Sequence, residues 1–170
     1  TLSATADKIL EGRNRGVQIA VADIGTEQGQ DIVLTQCPNP DILINNNGDP
    51  LFVEFQPLSR EEIEKGLKMN MITPVRMIQK ILNSMVTKGF GRIINITSVS
   101  VKMLIQELDL SSGARAGLSS FSARVSRSLA HKGVTINYLL PGNFLTERSI
   151  EGFKVNAEKN GVPEGKFHTV

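Results

Sequence analysis

Asp41-Ile42-Leu43-Ile44-Asn45-Asn46-Asn47-Gly48 joins a short, wholly apolar run to three asparagines and a glycine. Three consecutive branched aliphatics without polar alternation suit a buried strand of a parallel sheet. The abrupt change to Asn and Gly ends that strand and puts hydrogen-bonding side chains, and a residue without Cβ, at its carboxyl end. Two runs further along share the plan. Arg92–Ile96 (RIINI) leads into Thr97-Ser98, and Thr135–Leu140 (TINYLL) is closed by Pro141-Gly142. A fourth, Val17–Ala22 (VQIAVA), stops at Asp23.

Helical patterns fill the intervals. Thr1–Glu11 reads as a helix with Leu2, Ile9 and Leu10 as its apolar positions, and Thr26–Cys37 as a second. Ser59 opens a long one with a capping box, because Glu62 stands three residues on and can reach back to the Ser59 amide. Ile63, Leu67, Met71, Val75, Ile78, Leu82 and Met85 follow as one stripe, ended by Lys88-Gly89. Ser111–His131 is another helix, buried through Leu118, Phe121, Val125 and Leu129, and 146–160 reads as helical. Strand alternating with helix predicts a single α/β domain over 1–170, a doubly wound parallel sheet in three α/β/α layers. Ligands of such sheets sit at the carboxyl ends of the strands, here Asp23, Asn45–Gly48, Ile96–Ser98 and Pro141–Thr146.

The bulk properties narrow the partners. The chain of 170 residues carries a net charge of +2, too small to argue for nucleic acid or a membrane surface. Arg115, Arg124, Arg127 and Lys132 recur as basic positions, read as a solvated helix face or a subunit contact. Cys37 is the only cysteine, which leaves no disulfide or thiolate metal cluster and fits a reducing cytoplasm. No run is long and apolar enough for a membrane span, and no metal site is expected. The opening on Thr1, straight into helical pattern, leads us to expect that the chain begins inside a longer protein.

The strand ends resemble those of short-chain dehydrogenases/reductases. Asn45-Asn46-Asn47-Gly48 is similar to that family's Asn-Asn-Ala-Gly signature, and Asn95-Ile96-Thr97-Ser98 to its serine motif. Thirteen residues beyond Ser98 the family has Tyr-x-x-x-Lys, where this chain has Ser111-Ser-Gly-Ala-Arg115. Val134 to Gly142 matches the following strand and Pro-Gly turn, and the agreement in order and spacing runs from about 17 to 148. The nearest resemblance is to 3-oxoacyl-carrier-protein reductases, in a subgroup without the usual Tyr and Lys. It implies a Rossmann-like fold, here without its first βαβ segment and last strand. It also implies NAD or NADP as cofactor, a small carbonyl or alcohol substrate, and a homo-oligomer, tetramer or dimer, built on the helices matching 59–88 and 111–131. The Gly-rich phosphate fingerprint is not in this sequence.

Residue by residue, the resemblance assigns catalysis to Ser98, Asn70, Ser111 and Arg115. It assigns cofactor contacts to Asp23, Ile24, Asn45, Asn46, Gly48, Ile96, Arg115, Pro141, Gly142 and Thr146. Asp23 fits an acceptor for an adenine amino group or, equally, a carboxylate at the start of the next helix. Asn45 and Asn46 suit the bracing of loops more than chemistry. Asn47 stands where the family has alanine. Pro74 has no amide hydrogen for the Asn70 carbonyl, so the helix should kink or loosen there, whether for a relay water or for packing alone. Ser98 would steady a developing oxyanion.

Ser111 breaks the pattern. A phenol, near pKa ~10, can be tuned into a proton donor, whereas an aliphatic alcohol is a poor acid at neutral pH. Tyr138 lies inside a strand and cannot stand in by register. Glu107 and Asp109 are substitutes or plain surface charge, and a water held by Ser98, Ser111 and the Asn70 carbonyl is a further route. The expected activity is an NAD(P)-dependent carbonyl/alcohol oxidoreductase with an altered proton donor, possible substrates being 3-oxoacyl-like. The alternatives are an inactive nucleotide-binding scaffold and a non-redox lyase or dehalogenase-like relative.

Overall fold

The computed structural model describes residues 2–11, 16–48, 55–103, 105–142, 144 and 150. Three strands, β1 (Ile42–Asn45), β2 (Gly91–Ile96) and β3 (Val134–Leu139), form one parallel sheet in that order. The chain passes from β1 to β2 through α3 (Arg60–Leu67), a π turn (Lys68–Ile72) and α4 (Thr73–Lys88), and from β2 to β3 through α5 (Asp109–Leu129). Right-handed crossovers between successive neighbours put both connecting helices on one face. There α4 packs on β2, α5 on β3, and the two helices on each other. Helices α1 (Leu2–Leu10) and α2 (Glu27–Gln36) come before the sheet.

Ile78, Ile81 and Met85 of α4, Leu129 of α5, Ile93 of β2, and Val134 and Ile136 of β3 make the core, and Leu34 of α2 packs against it. Side chains alternate along a strand, so Asn45 and Asn95, two residues beyond Leu43 and Ile93, share the helix-covered face at the strands' carboxyl ends. The opposite face is open on β1, with Ile42 56% and Ile44 58% exposed. The apolar run at 42–44 therefore marks a strand covered on one face by the described residues, where the sequence pattern implied both.

Four expectations are corrected by packing. Val17–Ala22, read as a strand, carries neither strand nor helix, and Val21 is 82% exposed. β-branched residues favour an extended chain, but a strand exists only where a neighbour completes its hydrogen-bond ladder. The long helical stripe is rotated. The buried line runs through Gly66, Asn70, Thr73, Pro74, Met77, Ile78, Ile81 and Met85, while Ile63 is exposed. The π turn adds a residue to one turn and so shifts the face presented on either side of it. Phe121, expected inside α5, is exposed, because the buried line there is Ser111, Ala114, Arg115, Leu118, Ser122 and Leu129, one helical step away. Leu2, Ile9 and Leu10 of α1 are likewise exposed, and only Ala6 is buried.

Local signals fared better. Ser59 caps α3, and its hydroxyl first, then its amide, donate to the Glu62 carboxylate and hold that carboxyl below its usual pKa. Gly89 ends α4 in the left-handed conformation. The segment 146–160, apart from Ile150, lies outside the described residues. Among the described residues no helix is long and apolar enough to cross a membrane, and no group of three His, Cys, Asp or Glu is placed to hold a metal.

Candidate active site at the strand ends

The carboxyl ends of β1 and β2 face the π turn and the first turns of α5. Asn45 donates from Nδ2 to Oδ1 of Asn95 at 2.8 Å, tying the two strand ends together side chain to side chain. Asn45, Asn47, Asn70, Pro74, Asn95, Ile96, Arg115 and Leu118 line a small, partly open space of about 10 Å³, the room of a single water. Into this region the fold brings four of the sequence-assigned residues, Asn45, Asn70, Ile96 and Arg115.

Arg115 is 5% exposed. Its Nη1 donates to the Ile96 carbonyl at 2.9 Å and its Nε to Ser111 Oγ at 3.1 Å. Residues 111 and 115 are one helical turn apart on the buried side of α5, which is what brings hydroxyl and guanidinium together. Ser111 is itself 4% exposed. Since its oxygen accepts from Arg115, its own proton is left to donate.

Ser98 begins the 3-10 turn Val99–Val101, which packs against α5, and its Oγ accepts from the Ser100 amide at 3.1 Å. This hydroxyl also keeps its proton for a second partner. The Thr97 amide bonds to the Leu139 carbonyl and the Val99 amide to that of Pro141, so the loops after β2 and β3 continue side by side. Pro141 is half-buried, Gly142 is exposed, and Thr146 lies outside the described residues.

The loosening expected at Pro74 is present as the π turn. There the Thr73 amide bonds to the Lys68 carbonyl, passing over Met69. Asn70 is 3% exposed and its Nδ2 has no hydrogen-bond partner. At the far rim, Asp23 Oδ1 accepts from the Gly25 amide at 2.8 Å, while Thr26 is the N-cap of α2. Asp23 is exposed, and the Ile24 carbonyl accepts from Gln30 Nε2. Asn46 and Gly48 are exposed beside the π turn, where a Cβ on Gly48 would meet Met69 Cε at 3.3 Å.

Tyr138, excluded as a substitute acid, and the candidates Glu107 and Asp109 are placed as follows. The Tyr138 hydroxyl lies 3.5 Å from the Leu118 carbonyl, and burial pushes its pKa above the ordinary phenol value against a smaller opposing bond with Ser122. It stays neutral and turned toward α5. Asp109 is exposed in the first turn of α5, and Glu107, half-buried, has a left-handed φ of 60°. The sequence reading missed Asn95 as part of the site, and had no role for Asn47. The position of Asn95, two residues past Ile93 on an inward-facing strand, was the available signal.

The sequence profile of the family described as short chain dehydrogenase matches residues 2–155. An acetoacetyl-CoA reductase of Cupriavidus necator is 30% identical over 122 residues, 72% of this chain and 50% of that protein. A 3-oxoacyl-[acyl-carrier-protein] reductase of Vibrio harveyi is 27% identical over 168 residues, 97% of this chain and 69% of its own length. The L-sorbose reductase of Gluconobacter frateurii, solved with NADPH and L-sorbose, superposes with a TM-score of 0.81 at 23% identity, covering 94% of this chain and 62% of that one. The chain spans about half the length of most curated relatives that it matches.

Proposed function

Because the chain belongs to the short-chain dehydrogenase family, we propose that it serves an NAD(P)-dependent oxidoreductase activity on a carbonyl/alcohol pair, with Ser111 and Arg115 in place of the usual proton donor. The observation that carries this reading is the buried Ser111–Arg115 pair anchored on the Ile96 carbonyl, next to the strand ends. The substrate class is a small carbonyl compound of the 3-oxoacyl kind, by likeness to the acetoacetyl-CoA and 3-oxoacyl reductases.

The residues present fit a dinucleotide along the open rim. Asp23, Asn46, Gly48 and Gly142 are exposed there, and nothing lies within 4 Å of a Cβ placed on Gly142. Asp23 and Ile24 would hold the adenine end. Asn45, Asn46, Gly48, Ile96, Pro141 and Gly142 would hold the ribose and nicotinamide. When bound, the nicotinamide supplies or takes the hydride. The chain's own part is electrostatic. The hydroxyls of Ser98 and Ser111 donate to the carbonyl oxygen as negative charge gathers on it. The Arg115 guanidinium, held in a low-dielectric surrounding, stabilises that charge through Ser111. Its committed donors also mean that Arg115 acts from inside the protein, where a lysine ammonium would have a longer, freer reach. The proton that completes the alcohol then comes from solvent through the Ser111 hydroxyl.

Calorimetric titration with NAD, NADH, NADP and NADPH tests the cofactor. A nucleotide at a hundred times its Kd should raise stability by ~2.7 kcal/mol. No heat and no thermal shift with any of the four overturns the proposal. A nucleotide-binding scaffold without turnover is the second reading, favoured by the small space of about 10 Å³ at the strand ends. Nucleotide binding together with failure on every carbonyl tested would select it.

The assembly is proposed as a homo-oligomer, tetramer or dimer, through the helices at 59–88 and 111–131. Phe121, 59% exposed on α5, supports this. Met77 of α4 is 5% exposed within the subunit and takes no part. Light scattering at micromolar concentration should return a multiple of the subunit mass, and a monomer would count against the assembly.

A further inference from the structure

We propose that Asn47 is a positioning residue, whose side-chain amide holds the Met69 carbonyl and thereby fixes the π turn that carries Asn70 into the space beside Arg115. Asn47 Nδ2 donates to the Met69 carbonyl at 2.6 Å. In an α-helix that carbonyl would receive the amide of residue 73. Here the Thr73 amide goes to Lys68 instead. The next amide in line belongs to Pro74, which has no hydrogen to give. The π turn and the proline together strand this one carbonyl, and the Asn47 amide replaces the missing backbone donor.

The consequence lies one residue on. Asn70 follows Met69 and is buried with Nδ2 unpartnered, lining the same space as Asn47, Asn95 and Arg115. Its placement depends on the course of the π turn, and the only side-chain bond from the β1 loop to that turn among those described is the one from Asn47. An alanine, the residue of the Asn-Asn-Ala-Gly signature, has no donor and would leave the Met69 carbonyl to water or to a rewound helix. Asn47 and the π turn are thus a matched pair.

Asn47→Ala and Asn47→Asp, compared with the parent protein, test the clamp. Amide exchange over 71–75 should quicken about ten-fold in Asn47→Ala, the size of one lost hydrogen bond, while β2 and β3 keep their protection. The Asn70 side-chain amide and Arg115 Nε should shift in nitrogen-15 NMR spectra. Asn47→Asp keeps the size but turns a carboxylate oxygen toward a carbonyl, so it should disturb the same signals at least as much. Unmoved Asn70 and Arg115 signals, or exchange quickened equally across the sheet, would overturn the proposal. The kinetic arm rests on the oxidoreductase reading. There kcat should fall about ten-fold with KM unchanged, since Asn47 itself meets no substrate. A parent without turnover would count against that reading alone, and the exchange and NMR arms would still decide the clamp.

Discussion

Replacing Ser111 by tyrosine and Arg115 by lysine together is expected to raise carbonyl reduction by ~10²–10⁴-fold, the usual worth of a positioned general acid. The two positions share the buried side of α5 one turn apart, so a cation at 115 lies within reach of an oxygen carried at 111. In the double variant Ser111→Tyr/Arg115→Lys that oxygen becomes a phenol, which starts near pKa ~10 and is lowered by an adjacent ammonium. Ser111→Tyr alone should do less. Arg115 is committed to the Ile96 carbonyl, and Ser111 is only 4% exposed, so the ring must find room that the guanidinium now fills. Rates on a short β-keto ester, taken beside the parent and Ser98→Ala, check this. A parent that turns over and loses activity on Ser98→Ala would support the electrostatic mechanism with solvent as proton source. A double variant that folds, binds nucleotide and still shows no gain would mean that residue 111 is not where the proton is delivered.

The largest stability effect is expected at a contact far from the chemistry. Gly133 has φ 74°, and a Cβ placed on it would stand 2.0 Å from the Gly89 carbonyl oxygen. Its own carbonyl receives the Gly91 amide at 3.2 Å and Arg92 Nη1 at 2.9 Å, so the backbone there is not free to retreat. Gly133→Ala should therefore cost about 3–4 kcal/mol, combining the left-handed strain of ~1–2 kcal/mol with the displacement of packed backbone. Gly89→Ala is the control. Its φ of 70° carries the same strain, but nothing lies within 4 Å of the new methyl, so ~1–2 kcal/mol is expected. Urea unfolding of both variants separates the two causes. Equal losses would show that the carbonyl contact yields easily.

How much of this was legible in the sequence depends on the range of the interaction. The three sheet strands, the Ser59 capping box, the Gly89 stop, the loosening before Pro74 and the one-turn spacing of Ser111 and Arg115 are all short-range features, set within a few residues by propensity, capping and period. Those same local rules gave the parallel α/β order and the identity of the strand-end residues, and the resemblance carried by their spacing led to the family. They failed where a partner distant in sequence decides the outcome. Val17–Ala22 has the composition of a strand, yet a ladder depends on a neighbour. The stripe on the long helix was read with an unbroken period that the π turn does not keep, and Phe121 was placed inside by periodicity although neighbouring positions carry the burial. Asn47 was read from sequence only as a polar residue in the place of an alanine, without a role. Its partner is the Met69 carbonyl, 22 residues away, and that carbonyl is unpaired only because a π register and a proline meet at one turn. Composition and spacing determined which chemical groups the strand ends carry. Tertiary packing alone decided that Arg115 turns inward onto Ser111 and the Ile96 carbonyl, since a buried guanidinium must take whatever acceptors the fold brings within reach.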